Sequence, residues 1–186
     1  VEVTFQVNYL GHFLLTTHLL PLLRRSASAS IVHLTSGAHR GAPTQGVMLT
    51  RAGLNDPDAM GAYARYGMAK LANLIFSKEL QRRFGSNGIV SSSVHPGVVA
   101  TEMLRIKTFE AMLGSWLGPL AWSIARLRNA VFAYGVEEAS LSVLYAATAP
   151  FLEDGPRVGG ELIVPVATKW PARHPKAGDT TLATDL

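Results

Sequence analysis

The sequence predicts an α/β fold in which a parallel sheet carries helices on both faces. Two observations predict it. Helical stretches and short apolar runs alternate along the chain in the order helix, strand, helix, strand, helix, strand. No linker, internal repeat or low-complexity tract divides the 186 residues, a length that is enough for one domain with a sizeable core. We therefore treat residues 1–186 as a single domain.

The three helices are predicted by apolar periodicity and by the residues at their ends. Asn8–Arg25 is strongly apolar and ends in two arginines, which suit the negative end of a helix dipole. Tyr63–Phe84 has helical periodicity and is followed by glycine. Val136–Ala149 has two glutamates near its start, which suit a helix N-terminus.

The three strands are predicted as short apolar runs that end at small, polar or proline residues. They are Ile31–Ser36, Ile89–His95 and Gly159–Pro165. Residues 37–61 are rich in Gly, Pro, Asn and Asp and are predicted as a long loop. Residues 101–134 are predicted to be irregular and partly helical, and residues 167–186 to be a polar tail.

Composition and motifs exclude several classes of function. The chain has no cysteine, which excludes disulfides, thiolate metal sites and a cysteine nucleophile, and mildly favours a reducing compartment. Its net charge of +4 is scattered rather than gathered into a basic stripe, so we expect no nucleic-acid partner. The six histidines lack the spacing of metal ligands, so no metal is predicted, and there is no G-x-S-x-G hydrolase motif.

Tyr66 and Lys70 are four residues apart, on one side of the second predicted helix. A free phenol has a pKa of about 10, and a nearby ammonium lowers that pKa by stabilising the phenolate. Ligands of open parallel sheets bind outside the carboxyl ends of the strands, where Ser36 and the Pro96-Gly97 dipeptide are predicted. With a hydride carrier, a tyrosine, a lysine and a serine placed there can interconvert an alcohol and a carbonyl.

Each of these residues also has an ordinary structural explanation. The Y-x-x-x-K spacing occurs by chance in many helices, Ser36 suits the end of a strand, and Asn8 suits a helix N-cap. Their order and spacing, taken together, favour the catalytic interpretation.

Four segments carry a resemblance to a known family. They are VNYLGHFLLT, which contains Asn8; IVHLTSGAH, which contains Ser36; YGMAKLANLIFSKEL, which contains Tyr66 and Lys70; and HPGVVATEM. In these segments, and in the long insertion between the serine and the tyrosine, the chain resembles the short-chain dehydrogenases/reductases, most closely their retinol dehydrogenase-like branch. The resemblance covers residues 5 to about 165. It implies a Rossmann-type, doubly wound parallel sheet.

The resemblance implies a role for each site residue. Tyr66 would donate and accept the proton, Lys70 would lower the pKa of that tyrosine and bind the nicotinamide ribose, and Ser36 would hold the substrate oxygen. Asn8 would hold a water in the proton relay. The cofactor-binding residues that it implies are Asn8, Tyr66, Lys70, Pro96, Gly97, Val99 and Thr101. The implied cofactor is NADP or NAD, with NADP favoured.

Features of the family's N-terminal half are not found in this sequence. The glycine-rich turn T-G-x-x-x-G-x-G, the residue that distinguishes NAD from NADP and the N-N-A-G strand are missing, and the chain begins with Val1. We therefore expect an N-terminally incomplete domain, namely the C-terminal portion of the sheet with its later strands and helices and without the dinucleotide-binding half. An alternative stays open: a non-catalytic truncated isoform or pseudoenzyme that binds a partner through its first two helices.

Residues 101–135, which follow the expected nicotinamide contacts, are interpreted as a substrate lid. The aromatic side chains of this segment suit both core packing and the lining of a pocket for an apolar substrate. They are Phe109, Trp116, Trp122 and Phe132. With flanking basic residues they also suit contact with a membrane surface. The predicted substrate is an apolar alcohol or carbonyl, such as a retinoid or lipid; a homodimer and a location in the cytoplasm or at the endoplasmic reticulum membrane are compatible with the sequence.

Overall fold

The computed structural model describes residues 2–99, 115–127, 133–151 and 158–179. Its sheet has four strands in the order β1-β2-β3-β4. They are β1 (Ala29–Leu34), β2 (Ile89–Val94), β3 (Leu162–Val164) and β4 (Thr168–Trp170). The first three are parallel neighbours, with Leu34 opposite Val94 and Val94 opposite Ile163. The predicted α/β fold with a parallel sheet is therefore confirmed.

The fourth strand was not predicted. β4 runs antiparallel to β3, with Leu162 opposite Trp170, in a region that the sequence predicts as a polar tail. Its three side chains are all exposed. A strand without a buried face has no apolar alternation, so periodicity alone could not reveal it.

The first helical region begins earlier than predicted. α1 (Val3–Phe5), a π-helical turn (Gln6–Leu10) and α2 (Gly11–Leu23) follow one another without interruption. The N-cap is Glu2, whose carboxylate accepts hydrogen bonds from the amides of Thr4 and Phe5 at 2.9 and 2.8 Å. Asn8 therefore lies inside the helical region, in the π turn, and the N-cap explanation of Asn8 is wrong.

The other helices agree more closely with the sequence. α3 (Arg51–Asn55) and a 3₁₀ turn (Gly37–Gly41) interrupt the predicted long loop. α4 (Ala62–Phe84) matches the predicted second helix to within a residue. Residues 115–127 form α5, inside the segment predicted to be partly helical. α6 (Val136–Thr148) matches the predicted third helix.

Two apolar clusters lie on opposite faces of the sheet. α4 buries Met68, Leu71, Leu74 and Ile75 in the larger cluster, together with Phe5 from α1. The second cluster contains Val94 and Ile163 from the strands and Ala146 from α6. Because α4 and α6 cover different faces, the carboxyl ends of β1 and β2 lie between helical layers, where the sequence predicts the site.

α5 lies within the predicted lid, and several of its apolar side chains are exposed. Trp116 is 94% exposed, and Leu117, Leu120 and Ile124 are also exposed. Phe109 and Phe132 lie outside the described residues, as does most of the predicted lid. No described helix is long and apolar enough to cross a membrane.

Candidate active site

A glycine brings α4 against the turn that follows β1. A Cβ atom placed on Gly67 would lie 2.5 Å from the carbonyl oxygen of Ala38 and 3.0 Å from the amide nitrogen of Ala42. Distances this short to backbone atoms leave no room for a side chain. Gly67 follows Tyr66 directly, and Ala38 lies two residues after Ser36. The close approach therefore sets the helix carrying Tyr66 against the turn that Ser36 begins.

Lys70 is tied to the end of β1 by two hydrogen bonds. Its ammonium Nζ donates to the carbonyl of Leu34 at 3.3 Å. In the other direction, the hydroxyl of Thr35 donates to the backbone carbonyl of Lys70 at 2.7 Å, and this bond is buried. These two residues immediately precede Ser36. The structure thus brings Ser36, Tyr66 and Lys70 to one end of the sheet.

The ammonium of Lys70 is buried and faces the ring of Tyr66. Only 9% of Lys70 is exposed, and Nζ lies 5.5 Å from the centroid of the Tyr66 ring. Burial lowers the pKa of Lys70, and no carboxylate of the described residues contributes to that shift. A buried cation with no acidic partner is suited to stabilise a phenolate or to bind the hydroxyls of a bound ligand, because two of its three N–H bonds are left for other acceptors.

Ser36 is held in an extended conformation at the start of the 3₁₀ turn. Its φ and ψ are −150° and 155°, and its hydroxyl oxygen accepts a hydrogen bond from the amide of Ala38 at 3.3 Å. The hydroxyl keeps its own proton for donation. The carbonyl of Ser36 accepts from the amide of His39 at 3.0 Å, and His39 Nδ1 lies 2.6 Å from the same oxygen. The backbone of Ser36 is therefore fixed while its O–H can point to a substrate.

Asn8 is connected to Lys70 indirectly, through Asn73. The side-chain Nδ2 of Asn8 folds back on the carbonyl of Thr4 at 3.0 Å. Its backbone carbonyl accepts a hydrogen bond from Asn73 Nδ2 at 2.9 Å, and Asn73 also donates to Leu34, the acceptor of Lys70. The main-chain oxygen of Asn8, rather than its side chain, is therefore the part connected to Lys70.

The segment after β2 lies at the same end of the sheet. Gly97 has a φ of +82°, and a Cβ atom there would lie 2.7 Å from the ring of Tyr134 and 2.9 Å from Pro165. Val99 forms a parallel bridge with Tyr134. The segment is thus held by the end of β3 and by the residues before α6. Thr101 lies outside the described residues.

His95 links that segment to the serine turn, and sequence reasoning did not single it out. Its Nδ1 accepts a hydrogen bond from the amide of Gly97 at 3.3 Å, and its Nε2 lies 3.2 Å from where a Cβ of Gly37 would be. Burial lowers the pKa of His95, and the positive charges of His39 and Arg40 add to this effect. Within the described ranges, no group of three or more acidic or histidine side chains could hold a metal ion.

Comparison with known proteins agrees with this geometry. A sequence model described as short chain dehydrogenase matches residues 1–110, which is more than half of the chain. The chain belongs to the short-chain dehydrogenase family. Human retinol dehydrogenase 13 is 34% identical over the whole chain, which covers 51% of that protein. Retinol dehydrogenase 12 of Mus musculus is 41% identical over 56% of the chain. These relatives support the retinol dehydrogenase-like branch.

Other members of the short-chain dehydrogenase family are also similar. Short-chain dehydrogenase TIC 32 A, a chloroplastic protein of Brassica napus, is 33% identical over the whole chain and 55% of its own length. A solved structure of an uncharacterized protein from Mycobacterium paratuberculosis has a TM-score of 0.57 and 26% identity over 97% of this chain and 54% of that one. NADPH-bound carbonyl reductase from chicken fatty liver shares the fold, with a TM-score of 0.52 and 18% identity over 89% of this chain and 55% of its own. The chain spans about half the length of the curated relatives it matches.

Proposed function

We propose that the intact protein is an NAD(P)-dependent oxidoreductase that interconverts an alcohol and a carbonyl. The observation that carries the proposal is the arrangement at the end of β1, where Thr35 and Ala38, on either side of Ser36, lie against α4. They meet Lys70 and Gly67, which closely follow Tyr66 in the helix. The buried Lys70 ammonium belongs to the same arrangement. Membership of the short-chain dehydrogenase family supports this reaction class.

The three side chains take complementary roles in this mechanism. In the direction of reduction, Tyr66 gives its phenolic proton to the substrate oxygen while the Ser36 hydroxyl donates a hydrogen bond to that same oxygen. Lys70 stabilises the phenolate that remains. In the direction of oxidation, the Tyr66 phenolate takes the proton from the alcohol. The nicotinamide cofactor, when bound, supplies or accepts the hydride.

The residues at this end of the sheet suit a nicotinamide cofactor. Lys70 is buried, has no carboxylate partner among the described residues, and has N–H bonds left for ribose hydroxyls. We assign cofactor contacts to the residues that the family resemblance implies, which are Asn8, Tyr66, Lys70, Pro96, Gly97, Val99 and Thr101. NADP is proposed ahead of NAD on the same resemblance.

An apolar substrate, of the retinoid or lipid kind, is proposed for the site. The names of two relatives, retinol dehydrogenases 12 and 13, support a retinoid-like substrate. The exposed apolar side chains of α5, with Trp116 and Leu117 among them, support a lid or a peripheral membrane contact formed by residues 101–135. Substrate and location are proposals for the whole protein.

Replacement of Tyr66 by phenylalanine tests the reaction. Tyr66→Phe removes the proton donor, so we expect kcat for an apolar aldehyde to fall by about 10²–10⁴-fold with NADPH binding retained. The control is Tyr63→Phe, which removes a hydroxyl from the same helix at a position that is 60% exposed. Steady-state kinetics and cofactor titration measure both quantities. Turnover of Tyr66→Phe equal to that of Tyr63→Phe would refute Tyr66 as the proton donor. An unmodified protein that shows neither turnover nor cofactor binding would favour the non-catalytic, partner-binding alternative.

A further inference from the structure

A buried asparagine joins three elements of the candidate site. Asn73 lies three residues after Lys70 on α4, and only 1% of it is exposed. Its Nδ2 donates to the carbonyl of Asn8 at 2.9 Å and to the carbonyl of Leu34 at 3.3 Å. One amide group therefore connects the π turn of the first helical region, the last residue of β1 and the helix that carries Lys70.

The carbonyl of Leu34 is shared between Asn73 and Lys70. Lys70 Nζ and Asn73 Nδ2 each lie 3.3 Å from this oxygen. A carbonyl oxygen has two lone pairs, so these two donors can both be accommodated. The position of the Asn73 amide thereby limits where the Lys70 ammonium can bind, and the ammonium is left facing the ring of Tyr66.

The Asn8 carbonyl that Asn73 contacts lies in the π turn. π turns inside α-helices are single-turn irregularities that are frequent at functional sites, and Asn8 lies in the middle of this one. His12 Nδ1 also lies 3.0 Å from the carbonyl oxygen of Asn8, so this oxygen has two polar partners from the protein. Asn73 is the partner that comes from outside this continuous helical region.

We propose that Asn73 is a positioning residue, which holds the Lys70 ammonium at the carbonyl of Leu34 and so keeps it directed at Tyr66. The inference rests on the oxidoreductase function proposed above. Both contacts of Asn73 are donated by its N–H groups to carbonyl oxygens, so an amide is required at this position. Aspartate has the same shape but, when ionised, can only accept.

Variants of the intact protein test this role. Asn73→Ala removes both hydrogen bonds, so we expect kcat to fall about tenfold or more while KM changes less than about twofold. Asn73→Asp places a carboxylate beside Lys70, and an opposite charge at this range raises the pKa of a lysine by about one unit or more. The Lys70 titration is followed by the ¹³Cε resonance, which is assigned by its disappearance in Lys70→Arg.

A matched control separates positioning from stability. Ser77 is one turn further along α4, is fully buried, and hydrogen-bonds Ser91 at 3.1 Å rather than any residue of the site. We expect Ser77→Ala to lower the melting temperature, as Asn73→Ala does, but to leave both kcat and the Lys70 titration as in the unmodified protein.

The outcomes decide between the two roles. A raised Lys70 titration in Asn73→Asp, with a loss of kcat in Asn73→Ala that Ser77→Ala does not share, supports the positioning role. If both Asn73 variants match Ser77→Ala in kcat and in the Lys70 titration, Asn73 only stabilises the fold and the proposal is wrong. The Lys70 titration in Asn73→Asp can be measured without enzyme turnover, and it does not require that Asn73→Ala folds. It therefore tests Asn73 even where Tyr66→Phe has refuted the oxidoreductase reaction.

Discussion

A buried histidine in β1 makes the stability of the fold depend on pH. The ring of His33 lies 5.1 Å from that of Phe76 at 65°, and only a small part of it is exposed. Its Nε2 has no hydrogen-bond partner in the described part of the chain. Burial lowers the pKa of His33 to about 4, and the charge of His12 adds to the effect.

The sign and size of the effect follow from the two protonation equilibria. In the unfolded chain His33 binds a proton below its ordinary pKa of about 6.5, whereas in the folded protein it does so only near pH 4. The unfolded state therefore binds more protons in this window, and stability falls as the pH is lowered. The loss is about 2 kcal/mol at pH 5 and about 3 kcal/mol at pH 4, relative to pH 8.

Replacement of His33 by leucine removes this proton-binding site and keeps an apolar side chain against Phe76. We expect the free energy of unfolding of His33→Leu to change by about 2 kcal/mol less between pH 8 and pH 5 than that of the unmodified protein. At pH 8 the variant is expected to be as stable or more stable, since an unpartnered buried nitrogen is lost. Urea unfolding followed by circular dichroism at the two pH values measures both quantities.

The control is His18→Leu, in an exposed position of α2. Its difference between pH 8 and pH 5 is expected to equal that of the unmodified protein. If His33→Leu loses as much stability between these pH values as the unmodified protein does, then His33 is protonated in the folded state and the reasoning from its burial is wrong.

Two further substitutions test the contacts that place Tyr66 and Lys70. Gly67→Ala would push α4 away from the carbonyl of Ala38, so we expect kcat to fall by about 10-fold to 100-fold. The control is Gly11→Ala, because a Cβ there has an ordinary contact of 3.5 Å. Gly11→Ala should add up to about 1 kcal/mol of stability. Unchanged kcat in Gly67→Ala would contradict the close packing. Thr35→Val removes the buried bond to the Lys70 carbonyl and should cost about 1 kcal/mol in urea unfolding, whereas Thr35→Ser keeps the donor. A Thr35→Val variant as stable as the unmodified protein would show that this bond contributes nothing.

The regular elements with a buried face could be predicted from the sequence. β1, β2, α4 and α6 each have an apolar pattern that burial requires, and their bounds agree with prediction to within a few residues. β4 could not be predicted, because it is short and fully exposed, and it pairs through backbone groups that any sequence provides. The start of the first helix was placed too late because Glu2 and not Asn8 is its cap.

The sequence predicts which side chains could carry the chemistry of the candidate site, but not which residues hold those side chains in place. Tyr66, Lys70 and Ser36 were recognised because their spacing suits a reaction. Asn73 lies within one of the family-like segments, and an asparagine on the buried face of an apolar helix is a signal that it has polar partners. Those partners are backbone carbonyls from two distant segments, and no residue pattern marks a carbonyl.

Because of the π turn at Gln6–Leu10, the geometry of the site depends on the number of residues in this stretch. A π turn holds one residue more than the α-helical turn it replaces, so loss of a single residue here would restore a regular helical ladder. The carbonyl that Asn73 reaches would then change position, while every catalytic side chain kept its identity. Among homologues, a one-residue gap between Phe5 and Gly11 would therefore mark the chains in which this carbonyl is placed differently, even though their reactive motifs are the same.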